Sequence, residues 1–546
     1  MTIRPAHGRL DRQRIERGYA DGYWRAELAY DLIAEHAAQR PHALAVIDGE
    51  RRTSWSELDT LCKRLALHLI EIDLRPGDAV AVQLPNWLEY VVCLHAVQMT
   101  GAVVVQPGAD WRATELEYAL NVGPAKVLII PAQFAEHDFC AMADAVRPRM
   151  QDLQHVIVAR GTPPPNTLSL DAMLADPIEL RNDPASLQRC RPSADDVLRI
   201  VFTSGTTGRP KPIMHTNNTS AHSSRTLIGD FGFGTHDVIL SYVPLSTNYG
   251  AIMGLYLHAA SGATVVMMDR FSATRALQLV EREGITFIPG TPTAFIALQN
   301  SAELPKCDLG SLRLMMSAGA SFAMQAIRDL RAAIASTFIE SYGMNEFGMG
   351  FWCSMDDDPD IVIGSIGQPI PGLSARVVDD KGKDVAQGES GELIIRSAGM
   401  CAGYHDRQEA NEQSWDSEDW FHSGDLATID AARNFRIVGR SKEVIIRGGA
   451  NVSPREVEEA LATEPRIREV SVIGIPDDYY GEVVCACIIA RARQPVSSEE
   501  VQAYLNTRLA AYKIPSVVVM VEEFPLNAMG KVQKAVLLEH VLAGQS

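Results

Sequence analysis

At 546 residues the chain is too long for a single hydrophobic core, so two or more domains are expected. Its net charge of −18 argues against nucleic acid as a general partner, because phosphate binding needs a basic face. Nine scattered cysteines without a C-x-x-C pair argue against a disulfide framework or a zinc site, and they predict a reducing cytoplasm.

The first two-thirds of the chain alternates helical and strand-like patterns. The N-terminus carries charge but no following apolar stretch, so it is not a secretory signal. The most hydrophobic long window, residues 90–106, contains His95, Gln98 and Gly101 and is typical of a helix followed by a buried strand, not of a membrane span. The alternation predicts an α/β domain with mostly parallel sheets. Its predicted elements are helices at 30–38 and 54–72 and strands at 43–48, 78–84, 127–130, 265–268, 287–288 and 312–316.

The pattern changes twice toward the C-terminus. Near residue 360, short strands with Gly-rich turns at 376–379 and 391–396 predict a β-rich subdomain. After Gly439, about 105 residues remain, enough for a small separate domain. We therefore predict a large multi-subdomain unit, residues 1–440, and a small α+β domain, residues 441–546. The elements predicted for the small domain are helices at 454–462 and 498–509 and strands at 470–475 and 482–491.

A Gly/Ser/Thr-rich loop follows the apolar run at 197–202. Backbone N–H groups freed by glycine, hydroxyl groups and one lysine are what a polyphosphate site requires. The spacing is not that of a Walker A loop, and an ordinary surface turn is the alternative interpretation. The candidate phosphate-binding residues are Thr203, Ser204, Gly205, Thr206, Thr207, Gly208 and Lys211.

This loop resembles the phosphate loop of the adenylate-forming superfamily, which includes acyl-CoA synthetases, aryl-acid–AMP ligases and firefly luciferase. The resemblance extends over essentially the whole chain, because further family signatures follow in order. The fold it implies is a large domain that binds ATP and the acid, and a small mobile domain that carries a catalytic lysine and a tunnel for the thiol acceptor. The matching segments are 317–320, 341–346, 420–425, 439–443, 447–454 and 525–531.

The resemblance implies the contacts to the nucleoside. Tyr342 would stack on adenine, while Asp425 and Arg440 would bind the ribose. A carboxylate suits ribose because it can accept from both hydroxyls. Taken alone, Asp425 is equally typical of a turn. The adenine loop and its neighbour add Gly319, Ala320 and Gly343.

The resemblance also implies a magnesium site and a departure beside it. Glu346 would hold Mg²⁺, with Thr206 as a second ligand and catalytic hydroxyl. Asn345 stands where relatives carry a threonine near the α-phosphate, so its side chain offers a donor and an acceptor with a different reach.

The C-terminal signatures imply the moving parts. Lys442 would be the hinge between two half-reactions, or part of an ordinary charged linker. Gly448 and Gly449 would let the backbone lie close to a pantetheine arm, although a hairpin turn is compatible with the same residues. Lys531 would bridge the carboxylate and the α-phosphate during adenylation; the alternative is a solvated lysine.

The acid pocket is the least specified part of the sequence. By resemblance it is lined from 242–253 and by the segment after Glu346, which includes Gly348. Asn248 and Tyr249 resemble the Asn-Tyr pair of aryl-acid adenylating enzymes, whereas other stretches look closer to medium-chain and alicyclic acyl-CoA ligases. Many relatives carry a histidine where this chain has Thr247.

The function implied is an ATP-dependent ligase that joins a medium-chain, alicyclic or aromatic acid to CoA, with ATP, Mg²⁺ and CoA as cofactor and co-substrates. Two alternatives remain open. One is a stand-alone aryl-acid adenylating enzyme that loads a carrier-protein thiol, since carrier proteins share the pantetheine arm. The other is a nucleotide-binding module that has lost catalysis. We expect a cytoplasmic monomer or homodimer without nucleic-acid or membrane partners.

Overall fold

The fold is described from a computed structural model. It covers residues 9–203, 210–320, 322, 324–334, 336–358, 363–477, 479–491, 496–527 and 530–545. None of the helices in these ranges is both long enough and apolar enough to cross a bilayer.

The secondary structure alternates as predicted through most of the chain. The helices are α1 Arg12–Ala20, α2 Ala29–Gln39, α3 Trp55–Glu71, α4 Leu88–Met99, α5 Ala113–Val122, α6 Phe139–Val146, α7 Leu170–Ala175, α8 Asn217–Phe231, α9 Asn248–Ala251, α10 Leu257–Ser261, α11 Ala273–Glu283, α12 Pro292–Gln299, α13 Met324–Ala333, α14 Gln408–Ser414, α15 Pro454–Leu461, α16 Ser498–Asn506 and α17 Lys534–Gln545.

The strands fall into five sheets across the described ranges. They are β1 Leu44–Asp48, β2 Arg51–Ser54, β3 Ala79–Val82, β4 Val103–Val105, β5 Ala125–Pro131, β6 Gln133–Phe134, β7 His137–Asp138, β8 His155–Ala159, β9 Leu168–Ser169, β10 Val197–Phe202, β11 Pro212–Thr216, β12 Val238–Ser241, β13 Thr264–Met267, β14 Phe287–Gly290, β15 Leu314–Ser317, β16 Thr337–Met344, β17 Gly348–Trp352, β18 Gln368–Pro369, β19 Leu373–Val378, β20 Gly391–Ser397, β21 Phe421–Ile429, β22 Phe435–Arg440, β23 Ile445–Arg447, β24 Ala450–Val452, β25 Ile467–Asp477, β26 Gly481–Ala490 and β27 Val517–Met520.

Two large sheets form the bulk of the molecule, and the prediction of mostly parallel α/β layers is confirmed. One sheet runs β18-β17-β16-β15-β14-β12-β13-β1-β2, and the other runs β11-β10-β4-β3-β5-β8-β9. Their central pairs are parallel, including β3 with β4 and β14 with β15. The helix α4 is buried along its whole length, and most of its residues are apolar.

A third sheet, β19-β20-β21-β22, is antiparallel throughout and confirms the β-rich subdomain expected after residue 360. The fourth, β24-β23-β26-β25 with β27 alongside β26, belongs to the C-terminal part of the chain. Two hydrophobic clusters there consist only of residues from Ile445 onward. The division at residue 440 itself stays a prediction.

The predicted helix at 498–509 is too long, because α16 ends at Asn506. Its start is as expected, since Ser497 accepts a hydrogen bond from the Glu500 N–H, 3.3 Å apart, and caps the first turn. Near the end, the Arg508 N–H bonds the Leu505 carbonyl only three residues back, which tightens the last turn and ends the α-helix.

Candidate nucleotide and acid site

The root of the candidate phosphate loop is a hairpin at one edge of the seven-stranded sheet. Strand β10 pairs antiparallel with β11. The loop ends are closed by two hydrogen bonds, from the Thr203 N–H to the Lys211 carbonyl at 3.1 Å and from the Lys211 N–H to Thr203 Oγ1 at 3.0 Å. The ammonium of Lys211 lies 4.7 Å from the centre of the Tyr404 ring. The predicted residues Ser204, Gly205, Thr206, Thr207 and Gly208 lie outside the described residues, so their roles stay predictions.

The candidate ribose carboxylate is almost completely buried, with Asp425 only 2% exposed. Its Oδ2 accepts from the Tyr342 hydroxyl at 2.6 Å and its Oδ1 from Arg440 Nε at 2.7 Å. Asp425 and Arg440 face each other across β21 and β22. Burial and the Asp425 charge raise the pKa of Tyr342 well above its ordinary value, so the phenol remains a donor. The structure thus assembles an ordered Tyr-Asp-Arg group at the predicted ribose position.

The glycines beside this group have geometric reasons to be glycine. A Cβ on Gly343 would lie 2.2 Å from the Gly348 carbonyl oxygen, closer than any side chain tolerates. Gly319 has a φ of +89°, in the region that favours glycine, and Ala320 next to it is exposed. These residues hold the backbone against the nucleoside position, and their contacts to adenine stay predictions.

The candidate metal ligand Glu346 is 5% exposed. Its Oε1 accepts from the Tyr404 hydroxyl at 2.9 Å. Burial raises the pKa of Glu346, while the Tyr404 hydroxyl, the residue's own backbone N–H and the charge of Lys211 oppose that shift. A single buried carboxylate fits Mg²⁺, which is held by one or two carboxylates together with substrate phosphates. The described residues contain no group of three or more His, Cys, Asp or Glu side chains that could hold a metal ion.

Asn345 connects the end of β10, just before the candidate phosphate loop, with Asn248 in the candidate acid pocket. Its Nδ2 donates to the Phe202 carbonyl at 3.1 Å, and its Oδ1 accepts from the Asn248 N–H at 3.3 Å. Its carbonyl accepts from Asn248 Nδ2 at 3.0 Å and from His215 Nε2 at 2.7 Å. Both atoms of the amide therefore have protein partners in this structure, and the departure from the family's threonine has a structural consequence that sequence spacing does not reveal.

The candidate acid residues are buried and hydrogen-bonded within the protein. The Tyr249 hydroxyl accepts from the Gly290 N–H at 3.0 Å and donates to the Met316 carbonyl at 3.1 Å. Gly348 has a φ of +75°, and a Cβ there would lie 2.8 Å from Ser223 Oγ. Together with Asn248, these residues form a wall between α8, α9 and β17. Their contact with a substrate stays a prediction.

The predicted catalytic lysine lies against the large domain. Gly530, at φ +72°, accepts from Thr293 Oγ1 at 3.2 Å through its carbonyl, and a Cβ on it would lie 2.5 Å from that hydroxyl. Burial and the charge of Arg440 lower the pKa of Lys531, while Glu443 and Asp425 oppose the shift. The charges of Arg440 and Asp425, two residues of the candidate ribose group, therefore both act on the Lys531 ammonium. Sequence spacing found Lys531, but gave no signal for Thr293.

The hinge and tunnel candidates are on the C-terminal domain's own surface. Lys442 is exposed in a short 3₁₀ turn, Ser441–Glu443. Gly448 and Gly449, at φ +58° and +85°, form the turn between β23 and β24. A Cβ on Gly448 would lie 3.1 Å from the ring of Tyr480, which is itself exposed. The turn is open to solvent, as a later contact with another molecule would require, and both roles stay predictions.

Comparison with known proteins identifies the family of the chain. The family model of AMP-binding enzymes matches residues 33–405, and the model of the AMP-binding enzyme C-terminal domain matches residues 456–531. The chain is 30% identical over 525 residues to the medium-chain fatty-acid–CoA ligase of Escherichia coli K12, covering 95% of this chain and 92% of the relative.

Two further comparisons concern aromatic acids. The chain is 30% identical over 528 residues to the 2,3-dihydroxybenzoate-AMP ligase of Bacillus subtilis 168, covering 95% of each chain. Its structure resembles the crystal structure of the anthranilate CoA ligase AuaEII in complex with anthranoyl-AMP, with a TM-score of 0.87 and 25% identity, covering 96% of this chain and all of the other. The chain belongs to the family of AMP-binding, adenylate-forming enzymes.

Proposed function

We propose that the protein is an ATP-dependent carboxylic acid–CoA ligase that works through an acyl-adenylate. The observation that carries the proposal is the contact of Gly530, one residue before Lys531, with Thr293 of the large domain, together with the buried Tyr342–Asp425–Arg440 group whose charges act on that lysine. Among the described residues no carboxylate lies within 4.0 Å of the Lys531 ammonium, so it would be free to meet a carboxylate and an α-phosphate. Removing a carboxylate's oxygen as hydroxide is unfavourable, and conversion to a mixed anhydride with AMP gives a good leaving group.

In the first half-reaction, a carboxylate oxygen of the acid bonds to the α-phosphorus of ATP. The bond from that phosphorus to the bridging oxygen breaks, and pyrophosphate leaves. Such chemistry needs mainly positioning and charge stabilisation from the protein. Lys211 would hold the polyphosphate and Lys531 would neutralise the two approaching anions. Glu346 and Thr206 would hold Mg²⁺, which when bound supplies charge neutralisation at the phosphates.

In the second half-reaction, the CoA sulfur attacks the acyl carbon, the bond to AMP breaks, and the thiol proton is released to solvent. A rotation at Lys442 would turn a different face of the C-terminal domain toward the acyl-adenylate. The turn at Gly448 and Gly449 would then lie along the pantetheine arm. Exchange of this kind by a few residues at element ends is a common device.

For the acid, the names of the relatives support a medium-chain or aromatic substrate, as the sequence motifs do. The buried segment 248–256, which includes Tyr249, is mostly apolar and suits a compact ring or chain. We place the enzyme in the cytoplasm, where ATP and CoA are available.

The alternative acceptor, a carrier-protein thiol, has a specific observation in its favour, since one relative is named as an AMP ligase. Pyrophosphate release with a panel of acids, with and without free CoA, tests the proposal. A CoA ligase turns over repeatedly only when CoA is added and yields an acyl-CoA product. Adenylate formation without transfer to CoA would favour the carrier protein, and no pyrophosphate release with any acid would favour a module without catalysis.

A further inference from the structure

A buried arginine without a counter-charge lies next to the acid segment. Arg199, in the middle of β10, is 0% exposed. Its Nε donates to Gln106 Oε1 at 2.8 Å, and its Nη1 donates to Ser220 Oγ at 3.1 Å and to Asn248 Oδ1 at 3.3 Å. Its Nη2 is buried with no hydrogen-bonding partner. Among the residues that the structure describes, no carboxylate lies within 4.0 Å of the guanidinium, whereas Arg313 and Arg440 are each paired with an aspartate. Buried charges in proteins are generally paired.

The groups around Arg199 supply no negative charge. Burial and the Arg199 charge lower the pKa of His215, its partner across β10 and β11, to about 3, so the imidazole is neutral. Burial raises the pKa of Tyr90, whose hydroxyl accepts from Gln106 Nε2 at 2.6 Å, so that phenol is also neutral. The Tyr256 ring, 5.5 Å from the guanidinium carbon, offers only its π face. A guanidinium keeps its proton in proteins, so one positive charge remains uncompensated.

The position of this charge connects it to the acid. The amide of Asn248 stands between two groups: its Oδ1 contacts Arg199, and its Nδ2 contacts the carbonyl of Asn345, the residue before the candidate metal ligand. The helix that begins at Asn248 continues as a π-helical segment, Ile252–Tyr256, whose last residue faces the guanidinium. Single π-helical turns are rare and are frequent at functional sites. Asn248 therefore lies between Arg199 and Asn345, the residue next to the candidate metal ligand Glu346.

We propose that Arg199 selects the acid by binding a second carboxylate at the inner end of the acyl pocket, so that the substrate is a dicarboxylic acid. This rests on the proposed function and names its substrate class. The second carboxylate accepts from Nη2, and from Nη1 when the 3.3 Å contact to Asn248 is given up. Charge-assisted bonds of this kind are about twice as strong as neutral ones. A monoacid of the same length leaves the guanidinium unpaired and binds less well.

Matched acids test this directly. The rate of adenylation, kcat/KM, is measured by pyrophosphate release with octanoate against octanedioate and with benzoate against the three benzenedicarboxylates. Wild-type enzyme should favour the best dicarboxylate over its matched monoacid by about 100-fold or more, because a site built for a polar group discriminates strongly against the analogue that lacks it. Arg199→Met keeps an unbranched, mostly apolar side chain and removes the guanidinium with its charge, and it should abolish or reverse that ratio.

The control variant is Ser220→Ala, which removes a neutral partner of the guanidinium and leaves the charge in place; it should keep the dicarboxylate preference. Wild-type enzyme that prefers monoacids would overturn the inference whatever the variants do, as would an Arg199→Met enzyme with an unchanged ratio. Thermal stabilisation by the same acids, without ATP, gives a second measurement if a variant is poorly active: octanedioate must raise the Tm of the wild type more than octanoate does. Failure of every acid to release pyrophosphate would instead remove the proposed function.

Discussion

Replacing Lys531 with alanine should separate the two half-reactions. The two neighbouring cations cannot take its place, because Arg440 is held by Asp425 at 2.7 Å and Lys534 lies 3.3 Å from Glu443 and 3.1 Å from Glu458. Loss of one preorganised donor to a transition state costs about 2.7–4 kcal/mol. Adenylation should therefore slow by about 100- to 1000-fold, since each ~1.4 kcal/mol is a factor of ten.

The assay measures each half-reaction alone. Single-turnover pyrophosphate release reports adenylation, and conversion of a chemically prepared acyl-adenylate by CoA reports the second step. Lys531→Ala should lose the first and keep the second within a few-fold. Lys513→Ala removes the same charge from the same domain, where Lys513 is paired with Glu456 at 2.6 Å, and should leave adenylation intact. Equal losses in both half-reactions would refute the assigned role, and so would an equal loss of adenylation in the Lys513 variant.

The pH dependence adds an independent check. Burial and Arg440 lower the pKa of Lys531, so its ammonium is lost at a lower pH than that of an ordinary lysine. Wild-type adenylation should fall as the pH rises through this lowered value. The residual adenylation of Lys531→Ala should lack that alkaline decline, and a decline shared by both enzymes would assign it to another group.

Three further predictions test other parts of the molecule. Gly448→Ala places a Cβ 3.1 Å from the Tyr480 ring at a positive φ, so it should slow transfer to CoA at least about tenfold and leave adenylation unchanged. The control for backbone strain is Gly382→Ala, because Gly382 has a φ of +74° and no neighbour within 4 Å of a Cβ. An equal effect of the control on transfer to CoA would contradict the role of Gly448 in the tunnel. Asn345→Thr removes the two amide hydrogen bonds, to Phe202 and from Asn248. It should lower the free energy of unfolding by about 1–3 kcal/mol and raise the KM for the acid. An unchanged Tm and KM would show that these two hydrogen bonds are dispensable. Burial, opposed by the Gly364 N–H, raises the pKa of Glu340 to about 7. The stability that the protonated carboxyl contributes is therefore fully present below the unfolded pKa of about 4.3 and is lost as the pH rises through 7. Glu340→Gln should be equal to wild type in stability at about pH 4 and more stable at pH 8 by on the order of 3 kcal/mol, as followed by urea unfolding across pH. A pH-independent difference would contradict that assignment.

Local patterns in the sequence predicted most of the elements, because each pattern is complete within a few residues. The predicted helix at 54–72 became Trp55–Glu71, with Ser54 as its N-cap and Ile72 as its C-cap. The order of strands within the sheets was not predictable in this way. Strand β1 pairs with β13, more than 200 residues later, and no feature in the sequence of either strand identifies its partner.

The same contrast holds for the site. Motif residues such as Asp425 and Lys531 could be predicted as site residues because each lies in a signature of several specified positions. Their partners Tyr404, Thr293 and Arg199 lie outside the informative signatures, and each acts through a hydrogen bond or a charge from a distant segment. Arg199 carried a readable signal, a charged residue inside the apolar run 197–202, but only burial and the missing counter-charge show what it means.

The positive charge of the candidate site comes from cations that lack a carboxylate partner among the described residues. The chain has a net charge of −18, and its mean field is unfavourable to ATP and to organic acids. Two neighbouring cations are matched, Arg440 by Asp425 and Lys534 by Glu443 and Glu458. Lys211, Lys531 and Arg199 have no carboxylate within 4.0 Å among the described residues, although unmatched charges are costly to keep away from water. Lys211 lies at the phosphate loop, Lys531 is acted on by the charges of the ribose group, and Arg199 contacts Asn248. These three cations are assigned to the polyphosphate, the reacting carboxylate and the second carboxylate. The enzyme thus leaves uncompensated the charges that its substrates neutralise, and it is most stable with both substrates bound.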